Sequence, residues 1–403
     1  MISLCHYTIR LLTPGFLGDA EQNGRWRTPP FKALLRQWWR VAYAADHRFS
    51  VDMEAMRREE GQLFGNTWLT RRENHREVTA HCKSLLRLRL DRWMEGNLTK
   101  AQWPADSPVR HPEVSNRRGE PVPVGSSLYL GYGPLTYDNQ RRTTTLRSNA
   151  AIQVGDEAKL SVVWPTQHPS SDIQQMLDDN NHRQRIERAL WLMDRYGTVG
   201  GRSRNGWGSF TLIPINGTSA LRGAIPVRGW KDALNLDWPH AIGQDDKGPL
   251  IWQTAKAYDD WTTLMRDLAI IKIGLRTQFI FTSGNNTLQP ESRHWLSYPV
   301  TNHSVRSWGN NARLPNTLRF KIRSDMADPK KLRGVIFHMP CLPPPEFSPD
   351  PSAIEAVWRT VHTLLDELCK PSNNRTYSRI KDQDRRHKLK AELDKVTLER
   401  IPE

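Results

Sequence analysis

The stretch from Leu11 to Arg40, LLTPGFLGDAEQNGRWRTPPFKALLRQWWR, contains the strongest local signals for the fold. The apolar run from Ile2 to Leu12 predicts a β-strand that leads into a turn-rich loop. Thr28 is followed by two prolines, which predicts a helix start with Thr as the cap and Pro in the first turn. The order is therefore strand, loop and helix.

The predicted helix combines an apolar face with a basic stripe. Lys32, Arg36 and Arg40 recur at i, i+4 and i+8, so their side chains line one side. No acidic residue lies between Arg25 and Arg40, which favours a surface that contacts phosphate groups. The alternative is a solvated face of an amphipathic helix. The apolar face includes Phe31, Leu34, Leu35, Trp38 and Val41.

Two adjacent tryptophans in this helix cannot both point in one direction. Trp38 and Trp39 are about 100° apart around a helix axis. We expect one of them in the core and the other against a neighbouring subunit or a second domain.

The composition favours a polyanion partner. The 403 residues predict two or three domains, and 58 Lys and Arg against 43 Asp and Glu give a net charge of +15. The 16 tryptophans suit base stacking and large interfaces. The four cysteines have no paired spacing, so no disulfide, metal site or cofactor is predicted. A mean hydropathy of −0.66 and the lack of a long apolar run predict a soluble, cytoplasmic protein with no membrane contact.

A second segment, residues 197–208, is rich in glycine. Glycine permits positive φ and close backbone approach, and Arg202 and Arg204 are expected to point outward. A strand follows at Ser209, so the segment is neither a dinucleotide-binding nor a Walker motif. The alternative is a plain glycine-rich hairpin. The glycines are Gly197, Gly200, Gly201, Gly206 and Gly208.

These segments resemble the RAMP superfamily, the RNA-binding subunits of CRISPR effector complexes, and within it the two-domain head subunit of type III-B (Cmr) complexes. That family opens with a strand, a TP-x-F-L-G-G-A loop, an R-x-P-P/S step and a K-G-x-x-R-x-W-W-R helix. Asp19 and Ala33 depart from this pattern. The matching residues are Thr13, Pro14, Phe16, Leu17, Gly18, Ala20, Arg27, Pro29, Lys32, Arg36, Trp38, Trp39 and Arg40.

Three further segments are similar to family motifs. Residues 60–65 match an E-x-x-L-F-G motif, residues 195–210 resemble the signature glycine-rich loop, and residues 313–320 resemble a strand of the second domain. The resemblance implies an α+β fold with two ferredoxin-like (RRM-like) modules that carry loop and helical insertions.

The domain organisation follows from this resemblance and from composition. We expect an N-terminal domain over residues 1–218, with a Pro-rich insertion near 103–124, and a second domain over 219–371. The boundary lies in the Gly-, Pro- and Asp-rich stretch 216–250, and residues 372–403 form a charged C-terminal tail. Strands are predicted over 3–12, 85–90, 127–132, 159–164, 210–215, 270–281, 317–322 and 334–339, and helices over 31–45, 173–177, 184–196, 258–268 and 353–368.

The resemblance implies a non-catalytic subunit that binds the CRISPR guide RNA near its 3′ end, the target RNA, or both, beside other RAMP subunits of an antiviral effector complex. Recognition is expected to be largely independent of base sequence. The residues expected to contact RNA are Arg27, Lys32, Arg36, Arg40, Arg202, Arg204 and Trp207.

Two alternatives remain open. RAMP backbone subunits of type III complexes cleave RNA with an acidic residue after the first strand, and Asp19 and Glu21 occupy that loop here. A RAMP-type endoribonuclease, for target slicing or for guide precursor processing by a His such as His6 or His47, is therefore the enzymatic alternative. The other is a purely structural assembly subunit whose charge is incidental.

Overall fold

The computed structural model describes residues 2–73, 76–309, 311–377 and 383–402. Backbone contacts group the chain into two units. Unit 1 comprises Met1–Thr99, Ser148–Gly201 and Gly208–Pro226, and unit 2 comprises Lys100–Arg147, Arg202–Trp207 and Val227–Glu403. Within the described ranges, no helix combines the length and apolarity needed to cross a bilayer.

The α-helices are α1 (Thr28–Asp46), α2 (Met53–Phe64), α3 (Ser126–Gly131), α4 (Ser171–Asp178), α5 (Asn180–Tyr196), α6 (Trp261–Thr277), α7 (Pro351–Leu368) and α8 (Gln383–Leu393). The strands are β1 (Ile2–Leu11), β2 (Asn66–Glu73), β3 (Arg76–Cys82), β4 (Arg87–Leu90), β5 (Leu98–Thr99), β6 (Pro108–Ser115), β7 (Pro121–Gly125), β8 (Leu135–Asp138), β9 (Thr143–Leu146), β10 (Ala150–Ala151), β11 (Glu157–Pro165), β12 (Phe210–Ile215), β13 (Val227–Gly229), β14 (Ile242–Asp245), β15 (Gly248–Pro249), β16 (Ile251–Thr254), β17 (Asn286–Thr287), β18 (Ser304–Val305), β19 (Leu318–Ser324), β20 (Leu332–His338) and β21 (Leu398–Arg400).

Unit 1 is built on an antiparallel sheet with the strand order β12-β1-β11-β4. Helix α1 follows β1 and α5 precedes β12, so the chain order is βαββαβ with the first strand beside the fourth and third, the ferredoxin-like arrangement. Alternate residues of β1, Tyr7, Ile9 and Leu11, are buried. They form the core with the helices, where Phe31 of α1 and Phe210 of β12 are 5.6 Å apart between ring centroids.

Unit 2 repeats this topology. Its sheet has the order β19-β20-β16-β21, and the chain runs β16, α6, β19, β20, α7, β21. The first strand again lies between the third and the fourth, so unit 2 is a second ferredoxin-like module. The predicted α+β class with two such modules is therefore confirmed.

The start of α1 differs from its expected capping. The helix includes Thr28, and its N-cap is Arg27 without a side-chain capping bond, while the prolines do lie in the first turn. The hydroxyl of Thr28 instead accepts from the backbone N–H of Leu90 in β4, at 3.3 Å. Thr28 thus ties the helix start to the sheet. Trp38 and Trp39 are both fully buried, contrary to the expectation that one would be outside the core, because α1 is covered on more than one side.

The chain after residue 371 belongs to unit 2, whereas the sequence predicted a separate charged tail over 372–403. Strand β21 from this region completes the sheet by pairing with β16. Arg375 anchors it: the buried guanidinium donates to the carbonyls of Leu368, Lys370 and Leu393 at 3.1, 2.8 and 2.9 Å. It therefore satisfies carbonyls at the ends of α7 and α8. Residues 378–382 of the predicted tail lie outside the described residues.

The Pro-rich insertion over 103–124 also belongs to unit 2, although the sequence assigned it to the first domain. It contains the β6–β7 hairpin, and the guanidinium of Arg293 donates to both carboxylate oxygens of Glu113 in β6 at 2.8 Å. Asp106 accepts from the backbone N–H groups of Ser127 and Leu128 at 2.8 and 3.1 Å, at the start of α3. These ion-pair and capping interactions hold the insertion to its unit.

Two predicted strands are helical. Residues 127–132 lie largely in α3, and most of 270–281 lies in α6. The four residues 268–271 of α6, Leu-Ala-Ile-Ile, are all apolar and buried, and such a short run fits a buried helix as well as a strand. Asp260 favours the helix, because its carboxylate accepts from the N–H of Thr263, at 2.8 Å, and caps the start of α6.

Candidate functional site

The loop after β1 is closed by its own polar side chains. The Asp19 carboxylate accepts from the N–H of Glu21 and Asn23 at 3.1 and 3.0 Å, and from Nε of Arg25 at 3.0 Å. Burial opposes ionisation of Asp19, but the hydrogen bonds from Arg25, Asn23 and Glu21, with the charge of Arg25, together outweigh it and hold the pKa of Asp19 below its usual value. Asp19 therefore organises the turn, while Glu21 is exposed.

In the described part of the chain, Asp19 and Glu21 are not part of a group of side chains that could bind a metal ion. Among the residues that the structure describes, no group of three or more His, Cys, Asp or Glu side chains is arranged to hold a metal ion. Arg27, predicted to contact RNA, is half-buried and donates from Nη1 to the carbonyl of Gly18 at 2.6 Å, so part of its guanidinium closes the same loop.

The basic stripe of α1 has a buried counter-ion. Glu60 in α2 has a side chain that is only 2% exposed, and it forms ion pairs with both Arg36 and Arg40, the latter at 2.8 Å. Glu60 begins the E-x-x-L-F-G segment, so two motifs that the sequence shows apart meet in this contact. Arg36 and Arg40 therefore do not form a bare cationic surface, because a desolvated carboxylate is stabilised only if it keeps its partners, and their contact with RNA stays a prediction.

Lys32 is the remaining cation of the stripe. Its Nζ donates to the hydroxyl of Ser84 at 2.9 Å, and no acid contributes to its environment among the described residues. Burial and the neighbouring Arg36 lower the pKa of Lys32. Of the three stripe residues, Lys32 is thus the one without a carboxylate beside it.

Two glycines that border the central part of the signature loop, Gly201 and Gly208, bind the loop after β1 within unit 1. Gly201 donates to the carbonyl of Phe16 at 2.8 Å, and Gly208 donates to that of Pro14 at 3.0 Å. Gly208 has φ +63°, and a Cβ on it would lie 1.9 Å from the Val199 carbonyl oxygen. A side chain has no room here, so glycine is required by a close backbone approach.

The central part of the signature loop, Arg202–Trp207, belongs to unit 2. Arg202 is exposed and its Nε donates to the carbonyl of Tyr132 at 2.5 Å. The backbone carbonyl of Arg204 accepts from Phe320 N–H of β19 at 3.0 Å. The structure therefore divides the predicted RNA contacts: Arg27 and the stripe belong to unit 1, and Arg202 and Arg204 belong to unit 2.

Trp207 does not stand at a surface. It is fully buried, with ring centroids 5.8 Å from Trp103 and 5.7 Å from Trp261. A base could stack on it only if this aromatic cluster opened. The prediction of Trp207 as an RNA contact is therefore corrected to a core residue of unit 2.

Two further cations of unit 2 were missed from the sequence. Lys272 and Arg276 are one helical turn apart on α6 and line one cleft with Arg204 and Asn205. Nζ of Lys272 donates to the side-chain carbonyl of Asn205, and burial, Arg276 and Arg202 lower its pKa well below its ordinary value. The i, i+4 spacing of the two residues becomes a signal only on a helix, whereas the sequence pattern predicts a strand over 270–281.

This basic cluster, defined here as Arg202, Arg204, Lys272 and Arg276, has no ion pair with an acid anywhere in the described part of the chain. Its neighbour Tyr132 is 62% exposed. Several cations held together without a carboxylate favour a polyanion, and an exposed aromatic ring beside them suits a base.

Comparison with known proteins agrees with the motif analysis. Residues 8–211 match the family model of the RAMP superfamily. Among solved structures, the chain is similar to Cmr1 from Pyrococcus furiosus in its apo form, with 14% identity over 83% of this chain and 87% of that chain and a TM-score of 0.37. It is also similar to a chain of a type IV-B CRISPR complex, with 14% identity over 56% of this chain and 94% of that chain and a TM-score of 0.25. No curated protein sequence matches.

Proposed function

We propose, from the premise that this chain belongs to the RAMP superfamily, that it is a non-catalytic RNA-binding subunit of a type III-B CRISPR effector complex. It would bind guide RNA near the 3′ end, target RNA, or both, and contact other RAMP subunits. The basic cluster of unit 2 carries the proposal, because its three arginines and Lys272 have no acid paired with them among the described residues.

The mode of binding follows from the chemistry of these groups. Guanidinium and ammonium groups bind phosphate oxygens, which carry no base identity, so the cluster would accept RNA of any sequence. Arg202 and Tyr132 are both exposed, so a phosphate on the guanidinium would bring the next base towards the phenol ring. Lys32 of unit 1, which has no carboxylate partner in the described residues, is a second candidate contact.

The test is RNA binding by the full chain across a salt series. Each single-strand phosphate contact contributes about 0.7 to the slope of log affinity against log salt. The double variant Arg202→Gln/Arg276→Gln should therefore flatten the slope by about 1.4. The matched control is Arg183→Gln/Arg359→Gln, which removes the same charge from exposed arginines paired with Glu187 and Glu355.

The control should keep the wild-type slope. An equal loss of slope in both double variants would mean that only overall charge matters, and the basic cluster would then not be the RNA site. A flat curve for the wild-type chain would favour the assembly-subunit alternative, with any RNA site formed only in the complex.

The non-catalytic part of the proposal has its own test. Asp19→Asn and Glu21→Gln remove the two acids of the first loop, and the reconstituted complex is then assayed for RNA cleavage with and without Mg²⁺. We expect no change, because Asp19 already accepts three hydrogen bonds within its turn. Loss of a metal-dependent cleavage in either variant would establish the endoribonuclease alternative.

A further inference from the structure

We propose that unit 2 contains a pocket for a single nucleotide, with the base in an apolar cavity and the phosphate on Arg204. The proposal rests on the proposed RNA-binding function and deepens it, because the occupant would be one unstacked nucleotide of the bound RNA. The pocket lies where the ends of β19 and β20 meet the first half of α7.

The cavity has a volume of about 120 Å³, which leaves room for one ring system. Its walls are mostly proline and large apolar or aromatic side chains. Such walls are typical of sites that hold an apolar ring and orient it with a few polar groups. The walls include Pro239, Trp295, Pro343, Pro344, Ile354 and Trp358.

The two tryptophans of the wall are held in place from behind. Trp358 stacks on His338 with 4.0 Å between ring centroids, and Trp295 meets Trp308 edge-on at 5.1 Å. His338 is in turn hydrogen-bonded to His362 at 2.9 Å. Because these contacts fix the rings, an incoming base would pay little to order the aromatic wall.

The polar end of the cavity is cationic. Arg204 and Arg319 both line it, and within the described residues the guanidinium of Arg204 has no hydrogen-bond or ion-pair partner. Burial and the neighbouring Arg204 lower the pKa of Arg319 to about 9, and burial raises that of the Cys341 thiol to about 12. The thiol therefore stays neutral, and a bound phosphate would supply the negative charge that Arg204 lacks.

One acidic residue lines the cavity together with the two arginines. Asp237 is exposed and lines the same cavity. It would repel a phosphate at close range, and salt would screen that repulsion because the group is solvated. Removing the Asp237 carboxylate is therefore expected to tighten the binding of a nucleotide.

The combination of walls and charge selects the ligand. Inorganic phosphate would pair with Arg204 but leave the apolar cavity unfilled, and a nucleoside would fill the cavity but leave the guanidinium without an anion. A nucleotide uses both. RNA recognition by proteins commonly holds single-stranded bases this way, splayed out and stacked on aromatic or guanidinium planes.

The experiment is calorimetric titration of the full chain with AMP, UMP, adenosine and inorganic phosphate. We expect AMP and UMP to bind more tightly than adenosine or phosphate. Arg204→Gln should weaken both nucleotides about tenfold, which is the effect of losing one charge-assisted hydrogen bond pair. Asp237→Asn should tighten them, and Arg359→Gln, an exposed paired arginine away from the cavity lining, should change nothing.

The outcomes separate this proposal from the one on which it rests. Competition between single-stranded RNA and AMP, lost in Arg204→Gln, would support the pocket as part of the RNA path. RNA binding without any nucleotide binding would overturn the pocket and leave the RNA-binding function intact. Phosphate binding as tight as AMP binding would also overturn it, because the cavity would then contribute nothing.

Discussion

Glu60 provides the sharpest test of how the first helix is built. Its side chain is 2% exposed and pairs with Arg36 and Arg40, whose side chains are 41% and 43% exposed. The two sides of this interaction are therefore unequal. If the carboxylate is removed, the arginines can turn to water; if the arginines are removed, a buried charge is left without a partner.

This asymmetry sets the expected magnitudes. Glu60→Gln should lower the free energy of unfolding by about 1.5–3 kcal/mol, as for a lost hydrogen bond to a charged group. Arg36→Gln/Arg40→Gln should lower it by about 3–5 kcal/mol, since it strands the carboxylate. For a unit of this size the double variant would melt roughly 6–20 °C lower. The triple variant, which adds Glu60→Gln to the double, should regain part of the loss because no buried charge remains.

The assay is calorimetric unfolding of the full chain, with RNA binding measured on the same four proteins. If the double variant unfolds like the wild type while its salt slope flattens by about 1.4, the arginines contact phosphate as the sequence suggested and the ion-pair reasoning is refuted. A triple variant no more stable than the double would refute it as well, since the stranded carboxylate would then not be the cause.

Three further predictions concern the fold. Arg375→Met should destabilise unit 2 by about 3 kcal/mol or more in denaturant unfolding, because three carbonyls lose a buried donor, whereas a wild-type midpoint would show that water replaces it. Gly208→Ala should prevent native folding, as judged by proteolysis, while Gly119→Ala, at a φ of +79° but with no atom near the added Cβ, should lower stability by only about 1–2 kcal/mol and leave the fold intact. Burial lowers the pKa of His362 to about 3, so the unfolded chain binds the extra proton and stability should fall as pH drops from about 6.5 towards 3; His362→Gln should reduce that pH slope by up to one proton, about 1.4 kcal/mol per pH unit.

The ferredoxin-like modules were predictable where each element has its own local signal. Strand β1 alternates buried and less buried residues, and α1 begins with two prolines and presents a broad apolar face. Strand β21 has three residues in a highly charged region, and no local pattern marks it. Its place in the sheet depends on β16 and on Arg375, so only the tertiary structure reveals it.

The site was predictable as a set of residues and not as a set of contacts. The motifs gave Arg36, Arg40 and Glu60, but the pairing between them spans 24 and 20 positions along the chain. The same limit applies to Trp207, because an aromatic residue in a glycine-rich segment is compatible with both a stacking platform and a core. Burial decides between the two, and burial depends on residues such as Trp103 and Trp261 that are distant in sequence.

In the signature loop, the glycines serve the fold and the arginines are available to a ligand, a division that the sequence alone does not show. The backbone N–H groups of Gly201 and Gly208 donate to the first loop of unit 1, and a Cβ on Gly208 would collide with the Val199 carbonyl. The residues between them carry Arg202 and Arg204, which belong to unit 2 and have no acidic partner in the described chain. Glycine at position 208 is required by the close backbone approach, whereas neither arginine pairs with an acid in the described chain. The arginines are therefore the positions at which selection for a ligand can act with the least effect on folding.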